Sequence, residues 1–269
     1  MEEIKEKSIR LIIDTAIKSF SDGFELRHYS EIDDPNGTIN SKKHNCFMSV
    51  LGKEFIFYSA FVRSFDSSFG NLLENIGNQI AKFSYKTDRI IHSYILTEQT
   101  QHISNLLDKY EDHICKPAKE HYENFFVVKP KDTTSFKTQH ICDNWFYDEN
   151  TRTHYLVELK AGGDLDNKKA KSEKNALLKE YFMLKNILAS EQKIKIYFAT
   201  AYNKFGENNI WHQANIERFF SADELLIGKN YWNFVCNDKT GFDIVFNQYK
   251  ISAQYIKNSL IRIRNKYGC

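Results

Sequence analysis

Apolar residues recur at helical spacing from the start of the chain. Ile4, Ile9, Leu11, Ile12, Ala16, Ile17 and Phe20 predict an amphipathic helix over Ile4 to Phe20. The pattern breaks at Ser21, and the polar stretch to Asn45, with the turn signal Asp33-Asp34-Pro35-Asn36-Gly37, is expected as a long loop. A second helical region spans Lys53 to Phe83, with Phe57, Ala60, Phe61, Phe65, Leu72, Ile76 and Ile80 on its apolar side. Gly70 marks an expected break there between two helices. Glu98 to Tyr110, carrying Ile103, Leu106 and Leu107, predicts a third, and Pro117 closes the segment after it.

The texture changes after Tyr122. Phe125 to Val128 is expected as a short strand, and Gln139 to Tyr147 and Thr153 to Leu159 as two strands around the turn Asp148-Glu149-Asn150. Ala170 to Ala189 then predicts a long helix and Lys193 to Ala201 a buried strand. Hairpin, helix and strand give a β-β-α-β unit, whose last strand is expected to run parallel to its predecessor through a right-handed crossover. The remainder, Trp211 to Cys269, is mainly helical and ends in the helix Ile244 to Tyr267. The expected fold is α/β, a central mixed sheet flanked by helices. It is read as one domain over 1–269: a helical part (1–122), a core (123–202) and a mainly helical C-terminal part (203–269).

Composition narrows this reading. A chain of 269 residues with 42% hydrophobic content can bury one substantial core. The formal net charge is only +2, so any contact with a polyanion must come from a local basic surface. Cys46, Cys115, Cys142, Cys236 and Cys269 lack CxxC spacing, and the nine histidines show no paired ligand spacing, which argues against zinc and for reduced thiols. The charged stretch Met1 to Arg10 has no apolar signal region and no run approaches the length of a membrane span, so a cytoplasmic protein is expected.

The chemistry concentrates between Cys142 and Lys160. On a strand, the two-residue period puts Glu158 and Lys160 on one face and Leu159 on the other. If Asp143 lies on the neighbouring antiparallel strand, its carboxylate reaches Glu158. Two hard oxygen ligands, with other positions left for water and phosphate, suit Mg²⁺. Lys160 on the same face can place or deprotonate an attacking water, which points to phosphodiester hydrolysis. Asp148 and Glu149, in the turn, remain alternatives to Asp143 as the first ligand.

The run Glu158-Leu159-Lys160-Ala161-Gly162-Gly163-Asp164-Leu165-Asp166-Asn167-Lys168-Lys169-Ala170 resembles the catalytic segment of type II restriction endonucleases of the PD-(D/E)XK class, in particular the TdeIII-like group. Phe61-Val62-Arg63-Ser64-Phe65 to Ser68-Phe69-Gly70-Asn71-Leu72-Leu73-Glu74-Asn75-Ile76 is similar to that group's N-terminal helical motif, and Trp232-Asn233-Phe234-Val235 to Gly241-Phe242 fits it more loosely. The resemblance implies a homodimer that cuts both strands of duplex DNA with Mg²⁺ at a short palindromic site, alongside a DNA methyltransferase that protects the host. Cys142 stands where the class name has proline, which makes Asp143 a weaker match than Glu158 and Lys160.

Around this centre, Glu74 is a candidate further metal ligand. Lys168, Lys169, Asn167 and Arg63 are candidate DNA contacts, Asn167 by its match to adenine and the lysines by theirs to guanine or phosphate. On the next helix, Lys171, Lys174, Asn175, Lys179 and Glu180 form a polar side expected at the surface. Arg262, Arg264 and Lys266 either neutralise phosphates or complement a helix end. Two other readings keep the fold: a repair or junction-resolving nuclease, and a non-catalytic DNA-binding protein.

Overall fold

A computed structural model describes residues 1–127 and 138–268. Along the chain the helices are α1 (Glu3–Asp33), α2 (Thr38–Ser41), α3 (Cys46–Ser49), α4 (Lys53–Ala81), α5 (Thr97–Glu111), α6 (Glu120–Glu123), α7 (Asn167–Ile187), α8 (Ala214–Glu217), α9 (Lys229–Cys236) and α10 (Gly241–Tyr267). The strands are β1 (Lys86–Ser93), β2 (Thr138–Asp148), β3 (Thr153–Lys160), β4 (Lys193–Thr200) and β5 (Leu225–Ile227). These elements form two compact units, one of residues 1–80 with 240–269 and one of residues 81–239. Among the described residues no helix is long and apolar enough to cross a membrane.

The first unit pairs the two ends of the chain. α1 does not stop at Phe20: its buried stripe Ile9, Ile13, Ile17, Ser21, Phe24 and His28 keeps helical spacing through the stretch expected as a loop. The polar residues that suggested a loop occupy the outward positions, and Ile4 and Leu11, expected inside, are 81% and 67% exposed. Small residues let α10 lie against α1 at hydrogen-bonding distance. The Ser21 hydroxyl donates to the Tyr255 carbonyl at 2.8 Å and that of Ser259 to the Ser21 carbonyl at 3.1 Å. α4 runs unbroken through Gly70, where a side chain would meet nothing within 4 Å. A glycine in a helix interior costs about 1 kcal/mol relative to alanine, which the length of this helix absorbs.

The second unit holds the sheet, in the order β1-β2-β3-β4-β5. β1–β2 and β2–β3 are antiparallel, β3–β4 and β4–β5 parallel, so the expected mixed sheet and β-β-α-β unit are both present. One face is covered by α7 and α5 in a core that includes Leu107, Leu156, Leu178, Phe182, Ile196 and Phe198. On the other, the Phe234 ring of α9 packs against Tyr85, Phe146, Tyr155 and Tyr197. β1 had no apolar signature because it is an edge strand on which only Ile91 and Ser93 are buried. Phe125 to Val127 is not a strand, and Val128 lies outside the described residues.

The expected polar side of α7 is not all surface. Lys174 is fully buried and paired with Glu224, with its ammonium 5.2 and 4.9 Å from the ring centroids of Tyr122 and Phe220. Glu224 also accepts from the Tyr122 hydroxyl at 2.8 Å and from the Ser221 backbone and hydroxyl. Burial pushes the Lys174 pKa down against the pull of Glu224. Glu180, also expected outside, is buried as well. Helical spacing alone gave Lys174 an outward face; Tyr122 of α6 and the segment carrying Phe220 and Glu224 cover it. Removing one partner of such a pair costs about 3–5 kcal/mol because the other charge stays buried. Glu224→Ala is therefore expected to destabilise by that amount in chemical denaturation, and Lys174→Met/Glu224→Gln to recover most of the loss. A double variant no more stable than the single one would contradict this.

Candidate active site

The candidate catalytic residues lie on the β2–β3 hairpin. Its regular ladder runs from Asp148↔Thr153 to Asn144↔Val157, so Asp143 and Glu158 are the next residues on each strand. On its other side β2 is irregular: Asp88 faces Trp145 but Ile90 faces Ile141, so four steps on β2 match two on β1. The bulge is tied by the Cys142 thiol donating to the Arg89 carbonyl at 3.4 Å and by the Asn144 amide donating to the Val157 carbonyl at 3.0 Å. It lets Cys142 and Trp145 pack against the same core while Asp143 turns to Glu158.

On β3, Leu156, Glu158 and Lys160 alternate onto the face covered by α7. Glu158 hydrogen-bonds Asp143 and pairs with Lys160, whose ammonium also lies 3.1 Å from Glu173 on α7. Seven residues, two helical turns, separate Glu173 from Glu180. Glu180 shares a hydrogen bond with His140 of β2 at 3.1 Å. Four carboxyl groups and one ammonium thus share a largely buried corner of the sheet.

Burial dominates its electrostatics. Desolvation, reinforced by the hydrogen bond to Asp143, pushes the Glu158 pKa up to about 9 against the opposing pull of Lys160. Burial, then the charges of Asp143 and Glu173, push Glu180 up to about 8. Burial opposes the Lys160 charge as well, but Glu158 and Glu173 outweigh it and hold its pKa above the usual lysine value. At neutral pH Glu158 therefore keeps its proton beside a charged lysine.

A family model described as type II restriction endonuclease, HinfI, matches residues 5–252. The chain belongs to this family. No curated protein matches it. As a member of the HinfI family it is a hydrolase of the site-specific deoxyribonuclease class and binds DNA. The resemblance read from the sequence agrees at the level of type II restriction endonucleases.

In this HinfI-family enzyme the turn acids lie at the far end of the hairpin. Asp148 accepts from the backbone of Asn150 and Thr151, and Glu149 pairs with Lys86 at 2.6 Å. Five steps along the strand, about 17 Å at ~3.3 Å each, separate Thr153, the partner of Asp148, from Glu158. After Lys160 the chain turns at Gly162 and Gly163. A side chain at Gly163 would lie 2.5 Å from the Thr200 methyl, and its φ of +67° favours glycine. Asp166 then caps α7, accepting from the Lys169 backbone at 2.8 Å. Lys168 and Lys169 are exposed on its first turn. The Asn167 amide is engaged on both sides, donating to Glu111 at 3.1 Å and accepting from Arg218 at 3.0 Å. Glu74 and Arg63 lie on α4, in the other compact unit.

Glu173, Glu180 and His140 were not singled out by sequence. The seven-residue spacing of two glutamates on the helix after Glu-x-Lys was the available signal. Among the described residues no three His, Cys, Asp or Glu side chains converge to hold a metal by themselves. The Asp143–Glu158 pair nonetheless offers two adjacent carboxyl groups, the hard oxygen donors that a divalent cation takes.

The raised pKa of Glu180 has a sign in stability. The folded protein holds this proton more tightly than the unfolded chain, so the stability it brings is full below its ordinary value of 4.5 and is lost as pH rises to about 8. Each tenfold change in proton affinity is worth about 1.4 kcal/mol. In EDTA, Glu180→Gln is expected to melt progressively higher than the parent protein between these limits; a pH-independent difference in melting temperature would contradict the assignment.

Proposed function

We propose that the protein is a Mg²⁺-dependent type II restriction endonuclease that cleaves both strands of duplex DNA at a short specific site. The observation that carries the reading is the Asp143–Glu158 carboxyl pair with Lys160 on the same face, at one corner of the sheet. Asp143 and Glu158 hold the metal, with water and the scissile phosphate supplying the remaining positions. When bound, the ion polarises that phosphate and neutralises charge developing on it.

The chain's own groups supply the rest. Lys160 stays protonated, which supports a role in orienting the attacking water and meeting phosphate charge over one in removing a proton. Glu173 is a positioning residue that holds the Lys160 ammonium from the helix side. Exposed Lys168 and Lys169 suit contacts to flanking phosphates. The bonds from Glu111 and Arg218 suit Asn167 to anchoring the loop after Lys160. Glu74 as a further ligand and Arg63 as a DNA contact belong to the same reading. With one such corner per chain and two strands to cut, two copies act together as a homodimer.

Digestion of unmethylated plasmid and phage DNA tests this. Discrete fragments are expected with Mg²⁺, none in EDTA and none from Glu158→Ala. Uncut DNA from folded protein, or cutting only of branched DNA, would overturn the proposal. Within the site, Lys160→Ala is expected to lower the single-turnover rate ~10²–10³-fold, the loss typical of one preorganised donor. Glu173→Ala should lower that rate less, with DNA affinity unchanged and Glu173→Gln partly restoring it; an unchanged rate would remove Glu173 from the machinery.

A further inference from the structure

The loop after β4 starts beside the catalytic lysine. Lys160 and Thr200 are register partners at the ends of two parallel strands, and the Ala201 N–H donates to the carbonyls of both Lys160 and Ala161, at 3.2 and 3.0 Å. The Tyr202 ring occupies the space a side chain at Gly162 would need. Lys204 reaches Asp164 of the loop after Lys160 at 3.1 Å. Residues 202–210 and the loop after Lys160 therefore form one edge at the same end of the sheet.

This loop is held by bonds within itself. The Asn203 side chain accepts from the Phe205 N–H at 3.0 Å and donates to the Asn209 carbonyl at 2.8 Å. Glu207 accepts from the backbone of Asn203 at 2.8 Å and of Lys229 at 2.9 Å, fastening the loop to the start of α9. With its backbone fixed, it presents Tyr202, Phe205, Asn208 and Ile210 outward, Ile210 at 91% exposure. Exposure alone does not single it out, since Phe126 is 79% exposed; the place beside Lys160 and the fixed backbone do. A preordered loop loses little freedom on binding, so its contacts go into affinity and discrimination.

The chemistry of the presented groups decides what they meet. Its one exposed cation, Lys204, is already paired with Asp164, which leaves an amide, aromatic rings and an aliphatic group. Phosphates are met by cations and position a protein; base edges are met by amides and apolar groups and specify sequence. We propose that the loop 202–210 reads base edges of the DNA target, with Asn208 and Ile210 as the specificity residues, Asn208 suited to adenine and Ile210 to a thymine methyl. The proposal rests on the nuclease reading above for its substrate, but it concerns selection of sequence, which does not require cleavage.

Selection can therefore be measured apart from cutting. Full-length protein in EDTA is used to select duplexes from a pool of randomised DNA, and the selection is repeated with Asn208→Ala, Ile210→Ala and the double variant, each first checked for an unchanged melting temperature. The unsubstituted protein is expected to select a defined motif. Each single variant should lose roughly tenfold or more preference at one position of it, and the double variant at both, while binding to non-selected DNA is unchanged. A double variant that selects the same motif with the same preference overturns the proposal, as does an unsubstituted protein that selects none. Failure of the cleavage reading shows separately, as a protein that selects a motif but does not cut it with Mg²⁺.

Discussion

Two carboxyl groups held together in a desolvated corner set the terms for the rest of the second compact unit. Burial, reinforced by the hydrogen bond to Asp143, pushes the Glu158 pKa up, and the Lys160 ammonium alongside opposes that shift. That arrangement needs a hairpin to bring two strands into register, a bulge to aim Asp143, and a helix whose Glu173 holds Lys160 from above.

The faces of β3 divide the labour. Tyr155 joins the aromatic cluster around Phe234, Leu156 anchors the core under α7, and the polar pair appears where that core ends. The strand is thus packed on both faces up to the Glu158–Lys160 pair. Beyond Lys160, Gly163 allows the chain to pass close to Thr200, which keeps the loops after β3 and β4 together at the same edge. Preorganisation of this kind limits how far a water or phosphate must be steered once DNA arrives.

The β-β-α-β unit was legible because its strands are apolar where buried and its helix keeps a clean period. Asp143, Glu158 and Lys160 were legible from strand alternation and from the resemblance together. Ser21 to Asp33 was read as loop because polar residues on the outward side of a long helix look the same in sequence as a loop, and only packing against α10 separates them. β1 escaped because an edge strand needs few apolar residues. Lys174 was placed outside because periodicity gives a residue's direction on its helix, while the layer that covers it comes from distant sequence at Tyr122 and Glu224. Glu173 and Glu180 escaped for the same reason, since charged helix residues point to solvent unless a sheet carrying complementary groups lies beneath them.

Asp143 and Glu158, with Lys160, are proposed as the reacting centre on DNA. A crystal structure of the Lys160→Ala variant with duplex DNA and Mg²⁺ addresses it most directly. The account predicts a cation between the Asp143 and Glu158 carboxylates in contact with a backbone phosphate, and that phosphate within reach of the side chain that position 160 lost. A cation held elsewhere, at Asp148 and Glu149 for example, or DNA whose backbone passes far from residue 160, would contradict it.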